Sequence, residues 1–314
     1  MVFSALANPF LLSQRLKKSA REGRITILNF HRVAPNDSSS YPPLEPALFD
    51  DVMAFIAKNF DTIGLAGLAA RRRSTDRPCA VISFDDGYRD FVDHALPLLR
   101  RHGVRCNHNF IVSSLTSKLP PSNVLLQDFI GKAPENELTA LATILGLARH
   151  PAESRFSYGT RASNHLRFRP MADQRIVMAT IRKRLDVDRF ATPMMSMADL
   201  KAVACEVEIG AHSYEHANLP VESDAYIARD AERCRDFFDQ KLKISTPIYA
   251  LPNGQGNKRV LDILRQFGFR SILLTGEQFA RAGEDELPRF AMEGQSSSEL
   301  QFRATGFVRE RSTS

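Results

Sequence analysis

Short apolar segments alternate with amphipathic segments along most of this chain. Each apolar segment has the length and composition of a buried strand, and several intervening segments carry apolar residues at helical spacing. Strand, helix and strand in repeating order predict parallel strands joined by crossover helices, which is an α/β fold. The predicted strands are 25–33, 79–84, 104–112, 207–209, 247–250, 270–276 and 286–290, and the helices around them include 46–60, 91–103, 224–242 and 258–269.

The pattern changes between about residues 113 and 192. Segments 124–130, 135–148 and 172–185 have the spacing of helices and are joined by polar or irregular links. We interpret this region as a helical insertion rather than an independent domain. Residues 1–24 precede the first strand and predict a short helical extension that packs on the body of the protein or touches a membrane surface.

The composition is that of an ordinary globular protein. Of the 314 residues, 43% are hydrophobic and 25% are charged, which is normal for soluble domains. The length fits one α/β barrel with insertions. Four scattered cysteines form no CxxC pair, so neither a zinc knuckle nor a thioredoxin-type motif is present. No segment supplies the roughly 18 uninterrupted apolar residues of a spanning helix.

The net charge is +6, and arginines form runs at 71–73 and 100–101. Solvated helix ends are the ordinary explanation, and a surface for an acidic glycan or anionic lipid is the alternative. No nucleic-acid partner is expected, because RNA-binding motifs and zinc-finger spacing are absent from the sequence. The chain start places apolar before basic residues, the reverse of a secretory signal. We therefore expect a cytoplasmic protein, and a peripheral position at the inner membrane face would suit the basic surface.

Two polar groups directly follow predicted strands. Asp85, Asp86 and Gly87 follow the second strand, and His212 and His216 follow segment 207–210. By itself, DDG is most often a turn and HxxxH spacing is most often incidental. Together, in a barrel-length α/β chain, they predict one site, because catalytic groups of such barrels gather at the carboxyl ends of strands.

Two imidazoles and one carboxylate are enough ligands for a divalent metal, and they leave positions open for water and substrate. The DDG segment offers two carboxylates. Adjacent residues of an extended segment point in different directions, so one acid can bind the metal while the other stays free as a base.

These segments resemble the motifs of the polysaccharide deacetylase family, also called the NodB-homology or carbohydrate esterase family 4 group. SFDDGYRDF (83–91) matches the first motif, HSYEH (212–216) matches the second, and YALPNGQGN (249–257) is similar to the third. ILNFHRV (27–33) resembles the opening of one bacterial branch, and LPRF (287–290) resembles its late arginine-bearing strand. The resemblance covers about residues 25–308.

The resemblance implies a distorted (β/α) barrel with about seven strands. It also implies a metal-dependent hydrolase that removes N-acetyl groups from an amino sugar of a bacterial surface glycan or its precursor. The implied metal is a divalent ion, most often Zn²⁺. By motif matching, the implied roles are general base for Asp85, metal ligands for Asp86, His212 and His216, and substrate groove for Pro252, Asn253 and Gly254.

This chain lacks two residues that are usual in the family: a late histidine as general acid and the arginine of the third motif. No histidine follows residue 216. His31 and His108 are the candidates for the acid, with His108 also predicted to contact substrate, although each could equally be a structural histidine. Arg289 is predicted to pair with Asp85 and keep it ionised, with a surface salt bridge as the alternative. Tyr88 is predicted to line the entrance, or only to start the next helix.

Other functions stay open at this stage. The same fold supports hydrolysis of acetyl esters or of small non-sugar amides, and a glycan-binding barrel without activity is a third possibility. The intact acids and histidines speak against the third, because a binding protein has no need for an open metal site beside a free carboxylate. The oligomeric state is not indicated.

Overall fold

Seven parallel strands close into a barrel in the computed structural model, which describes residues 9–68 and 77–306. The predicted (β/α) barrel is therefore confirmed. Residues 1–8, the arginine run 71–73 and residues 307–308 lie outside the described residues. The strands are β1 (Ile25–Phe30), β2 (Asp61–Thr62), β3 (Cys79–Phe84), β4 (Cys106–Phe110), β5 (Glu208–Ala211), β6 (Ile248–Ala250), β7 (Ser271–Thr275) and β8 (Glu286–Ala291).

The barrel closes through the pairing of β1 with β3. Around the barrel the order is β3, β1, β8, β7, β6, β5, β4 and back to β3, while the short β2 pairs only with the start of β3. The register of β1 and β3 runs from Ile25 opposite Cys79 to Phe30 opposite Phe84. The two segments that follow, beginning at His31 and Asp85, therefore start side by side.

Helices surround the barrel and connect its strands. None of the helices in the described ranges is both long and apolar enough to cross a membrane. The helices outside the segment between β4 and β5 are Pro9–Arg21, Pro46–Asn59, Leu96–His102, Asp224–Leu242, Lys258–Gln266 and Ser297–Ala304, and a π-helical turn, Phe91–Ala95, precedes Leu96–His102.

Between β4 and β5 the chain is entirely helical or irregular. The helices there are Ser114–Ser117, Ser122–Lys132, Glu135–Leu145, Arg155–Arg167, Met171–Arg182 and Met197–Val203. Helix Arg155–Arg167 falls where the sequence predicted only a polar link, and that prediction was wrong. Its buried residues Tyr158, Ala162 and Leu166 recur every fourth position and join the core of the neighbouring helices. Tertiary packing therefore stabilises a helix whose local signal is weak.

Alternate residues of each strand face opposite sides of the barrel wall. Ile25, Ile27 and Val81 belong to the interior core, whereas Leu28 and Ile82 pack outward with the surrounding helices. Toward the carboxyl ends, the interior positions become polar. The functional site lies at that polar end of the barrel.

Candidate metal and catalytic site

Three side chains from two strand ends converge on one point. Asp86 follows β3, and His212 and His216 follow β5. One ligand atom from each lies within 4.8 Å of the others. Asp86 Oδ1 is 3.3 Å from His212 Nε2 and 3.6 Å from His216 Nε2. The structure thus brings together the three predicted metal ligands.

The chemistry of this triad fits a bound cation. The carbonyl of Ala250 accepts a hydrogen bond from His212 Nδ1 at 2.9 Å, which leaves Nε2 free to bind a metal. Asp86 Oδ1 is buried and has no hydrogen-bond partner among the described residues. A buried acceptor without a partner is costly, and a divalent cation at the centre of the triad would satisfy it.

The electrostatics also favour a cation. Burial alone would raise the pKa of Asp86, but His212 and His216 lower it to about 2, so the carboxylate is charged. Burial lowers the pKa of the His216 imidazole to about 4, which keeps it neutral and able to donate a lone pair. Burial would lower the pKa of His212 too, but the neighbouring carboxylates raise it.

Left-handed backbone conformations orient the side chains of the candidate metal ligands. Asp86 has φ 75°, Ser213 has φ 63° and His216 has φ 61°, a region that residues other than glycine seldom adopt. The conformation at Asp86 reverses the chain direction just after β3. Asp85 and Asp86 are thereby directed to different partners, as the sequence analysis expected of adjacent acids.

Asp230, in helix Asp224–Leu242, anchors the loop that carries both histidines. Its fully buried carboxylate accepts hydrogen bonds from the Ser213 hydroxyl at 2.7 Å and from the Tyr214 N–H at 2.9 Å. It also accepts a hydrogen bond from the Tyr249 hydroxyl at 2.5 Å. Ser213 Oγ in turn accepts the Ala217 N–H at 3.0 Å, which closes the loop. Asp230 could not be singled out from the sequence, because its helix contains several other acids; full burial of an aspartate is unusual.

Asp85 is held by a buried arginine from β8, which is separated from β3 only by β1. Arg289, in β8, contacts both carboxylate oxygens at 2.8 Å, and the exposed fractions of the two side chains are only 1% and 2%. Asn109 donates a further hydrogen bond to Asp85 Oδ1 at 2.8 Å. Burial would raise the pKa of Asp85, but Arg289 and the nearby imidazoles hold it well below its usual range. The structure brings these two residues together as predicted, and the pair is buried rather than a surface salt bridge.

Polar residues missed by the sequence analysis complete this network. Arg289 donates to Asn29 Oδ1 at 2.8 Å and to Ser83 Oγ at 3.1 Å, and Asn109 donates to Ser83 at 3.2 Å. Asn107 and Asn109 occupy alternate positions of β4, and Cys106, His108 and Phe110 occupy the others. That period of two was the available signal that β4 presents amides to the barrel interior.

His31 lies beside the Asp85 carboxylate. Its Nε2 atom is 3.9 Å from Asp85 Oδ2, and 27% of its side chain is exposed. The Tyr41 ring packs edge-on at 6.3 Å between centroids. Burial and the charges of Asp86 and Glu293 raise the pKa of Tyr41 well above its usual value, so its hydroxyl stays neutral. His31 is the predicted acid candidate that reaches the open side of the site.

His108 does not reach the site. It is fully buried, and its ring lies 4.3 Å, between centroids, from both Phe91 and Phe110. The reason is strand alternation: Asn107 and Asn109 face the interior, so His108 faces the outer helices. Burial lowers its pKa to about 3. This position supports neither the acid role nor the substrate-binding role that the sequence suggested.

The Tyr88 side chain is also fully buried, so it does not line an entrance. It packs with Val124 and Met194, and the Arg32 guanidinium lies 5.6 Å from its ring centroid. The backbone N–H of Tyr88 makes no hydrogen bond to any described residue. A free N–H one residue beyond the DDG turn remains able to bind a ligand oxygen.

The predicted groove residues form a tight turn after β6. Pro252 and Gly254 are buried, and Asn253 has φ 58°. A Cβ on Gly254 would lie 2.0 Å from Thr275 Oγ1, so only glycine fits. The Nδ2 atom of Asn253 is buried and has no partner among the described residues. The turn starts two residues after Ala250, whose carbonyl holds His212.

Fold and site together define a class of protein. This is a (β/α) barrel with a candidate metal site, and a second carboxylate beside it, at the carboxyl ends of its strands. No curated protein has a significantly similar sequence. The family model described as Polysaccharide deacetylase matches residues 190–272, less than half of the chain.

Solved structures share the whole fold at low sequence identity. The Streptococcus pyogenes deacetylase PplD has 15% identity and a TM-score of 0.59, with 90% of this chain and 98% of that chain covered. IcaB from Ammonifex degensii has 15% identity, a TM-score of 0.58 and coverages of 90% and 97%. A de-N-acetylase from Aggregatibacter actinomycetemcomitans has 14% identity, a TM-score of 0.55 and coverages of 89% and 99%. These likenesses confirm the predicted fold, and the family model supports the predicted resemblance over residues 190–272.

Proposed function

We propose that this protein is a metal-dependent hydrolase that removes N-acetyl groups from an amino sugar of a bacterial surface glycan or its precursor. The observation that carries the proposal is the convergence of Asp86, His212 and His216 beside the arginine-held Asp85. The family match and the deacetylases among the structural neighbours support the reaction type.

The triad would hold the metal, with Zn²⁺ as the proposed ion because of its two imidazoles and one carboxylate. When bound, such an ion supplies Lewis acidity to the acetyl carbonyl and makes water more acidic. Asp85 would take the proton of the attacking water. Its pairing with Arg289 keeps it ionised and therefore able to act as a base at neutral pH.

Two further groups would assist the amide chemistry. The free N–H of Tyr88 would donate to the oxygen that becomes negative during attack. His31 would protonate the departing amine, because an amide anion is a poor leaving group. His31 suits this role through its position beside Asp85 and its partial exposure. In the substrate groove, Asn253 would donate its buried, unpartnered amide to a sugar hydroxyl, beside Pro252 and Gly254.

The setting forms part of the proposal. We place the protein on the cytoplasmic side of the membrane, acting on an intermediate of glycan synthesis; its four cysteines are scattered and form no CxxC pair, a usage that fits a reducing compartment. The helix Pro9–Arg21 has no acidic residue in its first turn and ends with Lys18 and Arg21. Phe10 and Leu11 near its start are 68% and 42% exposed. Exposed apolar and basic residues on one helix favour peripheral contact with an anionic membrane.

The test is metal analysis of the purified protein together with acetate release from a panel of N-acetylated saccharides. Asp85→Asn should keep the metal and lose turnover by at least about 100-fold, since it loses the base but no ligand. His212→Ala should lose both metal and turnover. Full activity in Asp85→Asn would remove the proposed base, and tight metal binding by His212→Ala would show that the ligand set is wrong.

The same panel separates the alternatives. Release of acetate only from acetyl esters would replace the amidase assignment by an esterase. Turnover of small non-sugar amides without turnover of any saccharide would place the substrate outside the glycans. Binding of saccharides with no release of acetate by the metal-loaded protein would leave a binding function.

A further inference from the structure

The segment after β1, residues 31–44, is fastened to the barrel by a buried arginine. Arg32 Nε donates to Asp90 Oδ2 at 3.1 Å, Nη2 donates to Asp37 Oδ2 at 3.1 Å, and Nη1 donates to the Tyr41 carbonyl at 3.3 Å. Arg32 is 6% exposed and Asp90 is 9% exposed. One guanidinium therefore joins the motif that carries the acids to the segment that carries His31. We call residues 31–44 the β1 loop.

On its other side, the β1 loop is fastened to the helical segment between β4 and β5. Lys132 Nζ donates to Asp37 Oδ2 at 3.1 Å. The Ser39 hydroxyl donates to Asp128 Oδ1 at 2.7 Å, and Asp128 is fully buried. Both the N–H and the hydroxyl of Ser40 donate to the carbonyl of residue 127, at 3.1 and 2.8 Å. These contacts all come from helix Ser122–Lys132.

Two glycines allow the helices to approach the β1 loop this closely. A Cβ on Gly131 would lie 2.2 Å from the Ser38 carbonyl oxygen, and a Cβ on Gly159 would lie 1.9 Å from Ser40 Oγ. The clash at Gly131 is with backbone, so rotation of a side chain could not relieve it. The β1 loop is therefore packed tightly between the barrel and the two helices Ser122–Lys132 and Arg155–Arg167.

The His31 ring has little support of its own. Among the described residues it makes no hydrogen bond; its ring centroid lies 6.3 Å from that of Tyr41, and its Nε2 atom lies 3.9 Å from Asp85 Oδ2. Its backbone neighbour, Arg32, is among the most firmly held side chains in the structure. The network around Arg32 therefore holds the backbone that carries the imidazole.

We propose that Asp90 is a positioning residue that acts through Arg32 to hold His31 beside the reacting amide. The inference rests on the proposed role of His31 as general acid. It also gives a function to the helical insertion. Helix Ser122–Lys132 holds the other side of the β1 loop, through Lys132 bound to Asp37 and through Asp128 bound to Ser39.

The first test compares an N-acetylhexosamine oligosaccharide that releases acetate with 4-nitrophenyl acetate. Asp90→Asn keeps the shape but removes the charge that holds Arg32. We expect kcat on the oligosaccharide to fall by about 10- to 100-fold, within the range of general acid–base effects. The ester should be affected by less than about 3-fold, because nitrophenolate leaves without a proton. Zn²⁺ affinity should not change.

The second test is a double-mutant cycle with His31→Ala. If Asp90 acts through His31, Asp90→Asn should add little to the loss already caused by His31→Ala. Arg89→Gln is the matched control, since Arg89 adjoins Asp90 and pairs with Asp93 and Asp199 on the protein surface; it should leave kcat unchanged. Should Asp90→Asn not fold, Arg32→Lys keeps the charge but cannot make all three contacts, and the same pattern is expected.

Three results would overturn the proposal. Additive losses in the cycle, or equal losses on the amide and the ester, would show that the Arg32–Asp90 pair is only structural. Full amide turnover by His31→Ala would remove the acid on which the inference depends, while leaving the deacetylase activity itself intact. Absence of any acetate release from the wild-type protein would instead count against the proposed function.

Discussion

At the scale of single residues, the pairing of Asp85 with Arg289 dominates the site. Both side chains are almost fully buried and meet through two contacts of 2.8 Å. Two opposite charges in such a place compensate one another, but the loss of either leaves the other charge buried and alone. The main effect of the pair is therefore to keep Asp85 ionised and oriented, and its net contribution to stability is small.

Arg289→Gln should therefore cost more than a typical polar substitution. We expect the free energy of unfolding to fall by about 3–5 kcal/mol, because Asp85 is left as an unpaired buried charge. The combined variant Asp85→Asn/Arg289→Gln should recover part of that loss, since neither charge remains. Denaturation by urea measures both values. Equal destabilisation by the single and double variants would contradict this account.

At the scale of elements, the loop from His212 to Ala217 depends on a helix that lies outside the site. Asp230 accepts three hydrogen bonds of 2.5–2.9 Å from Ser213, Tyr214 and Tyr249. Through them the helix fixes the loop after β5 and the strand β6, whose Ala250 carbonyl orients His212. Residues that orient metal ligands commonly matter nearly as much as the ligands themselves.

Asp230→Asn should weaken metal binding while the barrel stays folded. The loop donates to one carboxylate oxygen and Tyr249 to the other; an amide has only one acceptor oxygen, so either the loop or β6 loses its acceptor. We expect Zn²⁺ affinity to fall by about 10- to 100-fold, as measured by titration with a chelator. Asp236→Asn, on an exposed turn of the same helix, serves as the control. Unchanged affinity in Asp230→Asn would mean that the loop holds its shape without the helix.

At the scale of the whole molecule, the helices around the barrel pack into two large apolar cores, in addition to the core inside the barrel. The barrel helices share one core, and the helices between β4 and β5 share another, which includes Phe129, Leu141 and Ile181. The second core serves the site through the β1 loop. The net charge of the protein, +6, is also a property of the whole molecule, because the combined charges attract anionic partners such as a membrane surface.

Binding to membranes tests the proposed peripheral position. The full-length protein should sediment with vesicles that contain phosphatidylglycerol and not with neutral phosphatidylcholine vesicles, and salt should weaken the binding. Phe10→Ala/Leu11→Ala should weaken it by at least about 10-fold through lost apolar burial. Phe156→Ala removes a phenylalanine that is 58% exposed elsewhere and should bind like the wild type. Equal binding by all variants would exclude the helix Pro9–Arg21 as the anchor.

The sequence, read with the family resemblance, was sufficient to predict the barrel and the convergence of Asp86, His212 and His216. Strand and helix periods are local, so most elements could be identified without knowledge of their neighbours; helix Arg155–Arg167, which packing stabilises, is an exception. The acids after β3 and the histidines after β5 follow strands directly, and parallel strands place their carboxyl ends on one face. Those residues were therefore identifiable together, although they are more than a hundred positions apart in the chain.

Only the tertiary structure decided how the remaining residues act. Register and strand alternation put Asn109 inside the barrel and His108 outside it, a difference of one position that no composition reveals. Contacts that the sequence did not predict, such as Arg32 with Asp90, 58 residues apart, and Asn109 with Asp85, 24 residues apart, depend on which strands and helices become neighbours. Local patterns determine which elements form, whereas the partner of a buried charge is determined by the packing of the whole chain.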